Sequence, residues 1–313
     1  MQITFLGTSA GVPTKLRNVS SVALRLQQRG EVWLFDCGEG TQQQIMRSSD
    51  VKLSQVTRIF ITHMHGDHSY GLMGLLASAG MSASAERIDV YGPQGIEDYV
   101  KACCERSYFR PAYKLEVHAV EAGVIFEDEE YFVSCEWLKH SVPDLGFRVT
   151  EKDRPGRFDV EKAQAMGIPS GPIFGQLKRG EDVTLPDGRK VSGAEFCGPL
   201  EKGRSVVYCT DTTYCQSSVK LAREADVLIH EATFVNEDED VASYSLHSTA
   251  AMAAEVARAA EVKRLIITHF SPRYAVGNPF EPDVLLTQAR AIFPQTLMAQ
   301  DFLTVDVPRN LAT

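Results

Sequence analysis

The stretch that most restricts what this chain can become is Ile59-Phe60-Ile61-Thr62-His63-Met64-His65-Gly66-Asp67-His68. A β-branched and aromatic run ends at Thr62, and three histidines and an aspartate follow within six residues. A strand that runs straight into such a cluster delivers it at its carboxyl end, where open sheets gather their sites. Neutral imidazole and carboxylate are ligands that zinc accepts. In a loop that bends after Gly66, His63 and His65 can face one ion while Asp67 and His68 face another.

The same context recurs along the chain. Segments 205–209, 226–229 and 265–268 read as strands. They run into Thr210-Asp211-Thr212, His230-Glu231-Ala232-Thr233-Phe234 and His269, and His140 follows a strand expected over 130–137. The candidate ligands are therefore His63, His65, Asp67, His68, His140, Asp211 and His269, each at or just after a β segment. Seven donors exceed one tetrahedral zinc but suit two ions about 3.5–4 Å apart. We assign His63, His65 and His140 to one ion and Asp67, His68 and His269 to the other. Asp211, with two oxygens, is assigned between them. Zinc suits this set, with manganese or iron as alternatives.

The chemistry follows from the ligands. Such ions lower the pKa of bound water toward about 7 and neutralise charge on a reacting group. Asp67 is also placed to orient an attacking water. His247, polarised by Glu231, is the candidate proton donor to a leaving group; a helix-start cap or packing histidine is the alternative reading. Phosphodiesters, lactones, thioesters and β-lactams all remain open as substrates. Lys15 and Arg17, after a turn-rich loop at 7–13 that could cradle phosphate, favour a polyanion.

Strands are expected at 2–6, 19–26, 31–35, 58–62, 88–91, 115–120, 124–127, 130–137, 205–209, 226–229, 265–268 and 302–305. Helices are expected near 41–48, 69–79, 94–104, 159–166, 218–224, 250–260 and 283–292. Glycines Gly38 and Gly40 signal backbone crowding near the site, acidic residues 237–240 read as a loop, and His118 reads as an ordinary strand histidine. Two series of strands with interspersed helices predict an α/β domain over 1–313, with two stacked sheets and helices outside. Within it, residues 148–193 mix bases, acids, Gly and Pro. They read as an inserted arm or as an irregular solvated connection.

Composition excludes little more. The net charge of −9 argues against a general nucleic-acid coat, though not against a local RNA site. Seven cysteines without a CxxC pair read as reduced thiols in a cytoplasmic protein. No apolar run reaches the length of a membrane span.

The His63–His68 string, with His140, Asp211 and His269 in order behind it, resembles the signature of the metallo-β-lactamase superfamily. Pro13-Thr14-Lys15-Leu16-Arg17-Asn18, His230-Glu231-Ala232-Thr233-Phe234 and His247-Ser248-Thr249 narrow it: they are similar to three loops of the ribonuclease Z family in its short form. The resemblance runs essentially end to end. It implies a four-layer αββα sandwich of two pseudo-symmetric halves, two zinc ions per subunit and a homodimer. The implied reaction cuts precursor tRNA after the discriminator base, leaving a 3′-hydroxyl on the tRNA and a 5′-phosphate on the trailer. It implies catalysis by Asp67, His247 and Glu231, and substrate contacts by Lys15, Arg17, Asn18, Ser248 and Thr249. The 148–193 segment would be a flexible arm gripping the tRNA elbow, with Gly171 and Pro172 in its glycine-proline portion. A broad phosphodiesterase, a lactonase or thioesterase, and a non-catalytic RNA-binding protein with structural zinc are the competing readings.

Overall fold

The computed structural model describes residues 1–81, 85–275, 277–278 and 281–309. The chain forms two compact units. The first comprises Met1–Glu127, Phe132–Val149 and Ser205–Val307; the second comprises Asp128–Tyr131, Thr150–Arg204 and Pro308–Thr313.

Two seven-stranded sheets make up the body of the first unit. In the first sheet the order is Thr304–Asp306, Gln2–Gly7, Ser21–Leu26, Glu31–Phe35, Val56–Phe60, Arg87–Gly92 and Lys114–Ala119. Pairing is antiparallel up to Glu31–Phe35 and parallel from there on. The second sheet runs Thr296–Met298, Leu265–Thr268, Val227–Glu231, Ser205–Cys209, Leu145–Glu151, Tyr131–Trp137 and Gly123–Glu127. Its first four strands are parallel to one another.

Alternation along each strand sets the layers. Phe35 and Phe60 point inward and meet Phe147 of the other sheet, with ring centroids 6.1 and 5.4 Å apart. Tyr208 packs on Phe35 at 5.6 Å, and Trp33 meets Phe126 edge-on at 5.6 Å. Neighbouring Val32, Leu34, Ile59, Ile61 and Val90 point the other way. They pack under helices Thr41–Arg47, Leu72–Met81 and Ile96–Arg106. On the far side Val207, Leu228, Leu265 and Ile267 pack under helices Gln216–Ala222, Ala250–Ala259 and Pro282–Ile292. Helix, sheet, sheet, helix is the expected α/β sandwich.

Several elements differ from expectation. Leu145–Glu151 and Thr296–Met298 are strands that periodicity did not signal. The strand before the histidine cluster ends at Phe60, so Thr62 already belongs to the loop. Helix Glu239–Ser245 replaces the loop expected over 237–240; Glu239 and Asp240 lie in its first turn, where acids complement the helix dipole.

The second unit is not an irregular connection. It has its own core of Phe158, Ala163, Ile168, Leu177, Leu185, Val191 and Phe196. Helix Val160–Ala165 is capped by Asp159, which accepts from the Lys162 N–H at 2.8 Å. Pro172 opens helix Pro172–Lys178, and Asp182–Thr184 pairs with Lys190–Ser192. The inserted segment extends to Arg204 rather than 193, because bridges Phe158–Cys197 and Arg154–Glu201 pair its two limbs. All seven cysteines are free. Among the described residues no helix is long and apolar enough to cross a membrane.

Candidate metal and catalytic site

Every expected ligand lies at the carboxyl end of a strand of the first unit. Three backbones turn sharply there. Asp36, Asp211 and His269 adopt left-handed φ values of 58°, 51° and 60° within two residues of their strand ends. Such conformations cost non-glycine residues energy and cluster at functional sites. Glycine serves the same crowding behind the loop: a Cβ on Gly38 would lie 2.2 Å from the Asp67 carbonyl oxygen.

The donor atoms form two sets. In the first, His63 Nε2 lies 3.0 Å from His65 Nδ1 and 3.7 Å from Asp211 Oδ2. His140 Nε2 lies 3.4 Å from His65 Nδ1 and 4.0 Å from Asp211 Oδ2. In the second, Asp211 Oδ1 lies 3.2 Å from His68 Nε2 and 3.1 Å from His269 Nε2. Asp67 Oδ2 lies 3.4 and 3.5 Å from the same two nitrogens. A tetrahedron with metal–donor bonds of about 2.0–2.1 Å has edges of about 3.3 Å, so both sets fit a divalent ion. The Nε2 atoms of His68 and His269 are buried and have no hydrogen-bond partner among the described residues. Buried polar atoms are rarely left so, and here they converge on shared carboxylate oxygens.

The opposite ring nitrogens are held. His68 Nδ1 lies 2.8 Å from Asp36 Oδ2, which also accepts from the Tyr208 hydroxyl at 3.0 Å. The Thr62 N–H donates to Asp36 Oδ1 at 2.8 Å. His63 Nδ1 lies 3.0 Å from Thr62 Oγ1 and 3.1 Å from Asp144 Oδ1. His269 Nδ1 lies 3.0 Å from Thr233 Oγ1, and His140 Nδ1 lies 3.3 Å from the Leu246 carbonyl oxygen. Such partners fix tautomers and orient ligands.

Electrostatics agree. Burial, reinforced by the neighbouring His68, pushes His63 well below the ordinary histidine range, and burial lowers His140 too. Neutral rings are the form that binds a cation. Burial opposes ionisation of Asp67 and Asp211, yet the adjacent imidazoles win and hold both carboxyls down. His68 shows the converse: despite burial, Asp211 and Asp36 raise it well above its usual value. Buried anions here draw positive charge, which divalent ions would supply instead of protons.

Beside the two sets lies a third group. His247 Nδ1 sits 2.9 Å from Glu231 Oε1. Its ring is 5.0 Å from that of His140 and 5.6 Å from that of His269. Glu231 is fully buried and also accepts from the Thr212 N–H at 2.6 Å, the Ser248 N–H at 2.9 Å and the Thr233 hydroxyl at 2.5 Å. Burial works against a charged His247, but Glu231 outweighs it and pushes the imidazole up to about 9.

The Beta-lactamase superfamily domain matches residues 180–270, and the Anti-Pycsar protein Apyc1 family matches residues 1–104. Ribonuclease Z of Microcystis aeruginosa is 62% identical over 310 residues, covering 99% of this chain and 97% of that protein. Ribonuclease Z of Synechocystis is 60% identical over 313 residues, covering 100% and 96%. The chain belongs to the ribonuclease Z family. The crystal structure of human tRNase Z, short form, is 31% identical with a TM-score of 0.71, covering 98% of this chain and 100% of that one. The metallo-β-lactamase fold protein YhfI from Bacillus subtilis shares the fold at 17% identity and a TM-score of 0.67.

Within this ribonuclease Z family chain, the expected substrate residues divide. Lys15 is exposed. Arg17 turns inward instead: its Nη1 donates to Thr8 Oγ1 at 2.7 Å and to the Ala299 carbonyl at 2.8 Å, and its guanidinium stacks on Phe270. Asn18 donates from Nδ2 to the Glu39 carbonyl at 2.8 Å. Ser248 and Thr249 are buried. Ser248 donates to the Thr212 carbonyl at 2.5 Å, and Thr249 accepts from the Met252 N–H at a helix start. Arg17, Asn18, Ser248 and Thr249 therefore hold the loops in shape. Gly171 and Pro172 lie in the second unit, where Gly171 takes a φ of 134° that suits glycine alone. His118 stacks on Tyr91 in its strand, outside both donor sets.

Sequence reading did not assign roles to Asp36, Asp144, Thr233 or Tyr208. Asp36 carries a direct test. Asp36→Ala removes the anchor of His68 and strands the Thr62 and Tyr208 donors. Metal affinity, measured by competition with a chelator, should fall about 10–100-fold; an unchanged affinity would show that Asp36 does not orient His68.

Proposed function

We propose that this chain removes the 3′ trailer of precursor tRNA by metal-dependent hydrolysis after the discriminator base. The products would be a tRNA 3′-hydroxyl and a trailer 5′-phosphate. The observation that carries the reading is the pairing of two four-donor sets with the His247–Glu231 dyad, in a chain about 60% identical end to end to ribonucleases Z. We further propose two zinc ions per subunit, a cytoplasmic homodimer, and capture of the tRNA by the second unit.

When bound, two such ions lower the pKa of water toward about 7 and offset charge on a phosphoryl group. His63, His65, His140 and Asp211 would hold one, and Asp67, His68, His269 and Asp211 the other. Asp67 also accepts a hydrogen bond from the attacking water and orients it; its Oδ2 is steadied by the Gly11 N–H at 2.8 Å. As the bond from phosphorus to the tRNA 3′-oxygen breaks, that oxygen needs a proton. His247, with Nδ1–H held by Glu231, presents Nε2–H to it. The charge left on the dyad is then that of a neutral imidazole beside a carboxylate. Exposed Lys15 meets a backbone phosphate, a contact that positions without reading sequence.

The deciding experiment maps product ends on a defined precursor tRNA and counts metal in the same sample. One cut after the discriminator base and two ions per chain are expected. Faster turnover of a lactone panel than of precursor tRNA would replace the nuclease reading with a lactonase. The arm has its own test. Replacing residues 155–200 with a short Gly-Ser turn keeps the Arg154–Glu201 pairing. It should lower kcat/KM on precursor tRNA about 10²-fold and leave bis-p-nitrophenyl phosphate hydrolysis unchanged. Equal losses on both would make the unit a stabiliser of the fold.

A further inference from the structure

The second unit is closed at its neck by a residue that no part of the proposed mechanism uses. Glu151 ends an outgoing limb and is buried. Arg204, on the returning limb, grips it from two sides: Nε lies 2.7 Å from Oε2 and Nη2 lies 3.0 Å from Oε1. Three residues further out, Arg154 and Glu201 pair by backbone, with N–O distances of 3.1 and 2.9 Å. Their side chains pair as well, Arg154 Nε to Glu201 Oε2 at 2.8 Å. Arg309 comes from a third segment, 158 positions from Glu151 and 108 from Glu201. Its Nη2 bonds Glu151 Oε1, and its Nη1 reaches Glu201 Oε2 at 3.4 Å.

The result is a row of alternating charge: Arg204, Glu151, Arg309, Glu201, Arg154. Its middle member, Arg309, touches both carboxylates. The side chains of Glu151, Arg204 and Arg309 are 4%, 11% and 12% exposed, so water screens the row weakly. A planar guanidinium with several donors suits a bridge between two carboxylates; a lysine is a point charge and does not span them equally. Burial resists the charge on Glu151, yet the two arginines hold it below the ordinary carboxylate range. Removal of Arg309 leaves Glu151 paired with Arg204 and Glu201 paired with Arg154. The limbs stay folded but lose the link between the two pairs.

We propose that Arg309 is a positioning residue that clasps the neck of the second unit, holding its two limbs in one register so that the unit presents a fixed surface to the substrate. The substrate half of this inference rests on the proposed capture of tRNA by that unit; the clasp itself does not. The test compares the intact protein with Arg309→Ala and Arg309→Lys. With Arg309→Ala, KM for precursor tRNA should rise about tenfold with kcat held, and bis-p-nitrophenyl phosphate turnover should not change. Arg309→Lys should recover part of the loss. Limited proteolysis should cut Arg309→Ala faster within residues 150–204 than the intact chain. Unchanged proteolysis would overturn the clasp, whatever the substrate. Faster proteolysis with an unchanged KM would overturn its role in substrate capture while leaving the clasp. An equal fall of kcat on both substrates would make Arg309 a residue of general stability and refute positioning. If the intact protein does not cut precursor tRNA, the proteolysis arm still decides the clasp, and only the functional reading fails.

Discussion

Asp67→Ala should lower kcat/KM on precursor tRNA by at least about 10³. Two contributions multiply. Asp67 Oδ2 closes the second donor set with His68, His269 and Asp211, at 3.4 and 3.5 Å from the two imidazoles. Losing support at a metal site costs about 10–100-fold in affinity or activity even when the residue lost is not itself a ligand. In the proposed mechanism the same carboxylate orients water, and a positioned base contributes about 10²–10⁴. Single-turnover cleavage with metal counted in the same sample checks the prediction. The mutant should hold less than its full complement of ions. A mutant that keeps both ions and cuts within tenfold of the intact chain would remove Asp67 from the chemistry.

His247→Ala is the second. It should lower kcat about 10²–10⁴-fold with KM within about threefold, because in the proposed mechanism the ring acts on the leaving oxygen and not on ground-state binding. The pH dependence has a definite sign. Burial would lower His247, but the Glu231 carboxylate at 2.9 Å raises it to about 9. The acid form is then present through neutrality and is lost as pH rises through about 9. Turnover of the intact chain should therefore fall on that alkaline limb. Glu231→Gln removes the raising charge, so the limb should move to lower pH. A profile that keeps its limb in Glu231→Gln would assign it to another group, and an unchanged kcat in His247→Ala would end the proton-donor role.

The two donor sets are legible in the sequence because histidines are scarce and stand at strand ends. His63, His65, His68, His140 and His269 are five of eight in the chain, and each followed a β segment. Asp211 was legible for the same reason. Asp36 and Asp144 were not, because an aspartate after a strand looks the same whether it ends a turn or anchors an imidazole. Only folding brings Asp36 to within 2.8 Å of His68, thirty-two positions on. Arg17 is legible in part: spacing marks a cation near the site, and the structure adds that its guanidinium binds Thr8 and Ala299. The second unit was read from composition as an arm or an irregular connection. Its core residues Phe158, Ile168, Leu177 and Phe196 are too unevenly spaced for any periodicity to gather them. Pro172 belongs to the segment's glycine-proline portion, yet proline is well suited to a helix's first position, which is where it lies.

The four donors of the His63–His68 loop hang from one sheet, while His140, Asp211 and His269 hang from the other. Asp211 belongs to both sets. Filled as proposed, a pair of ions would rivet the two sheets along a single rim. A slip of one sheet past the other would spread both sets at once, because neither has an independent attachment. Heat that frees the Phe35–Phe60–Phe147 layer should thus release the ions in the same cooperative step, so that melting, metal loss and inactivation share one midpoint.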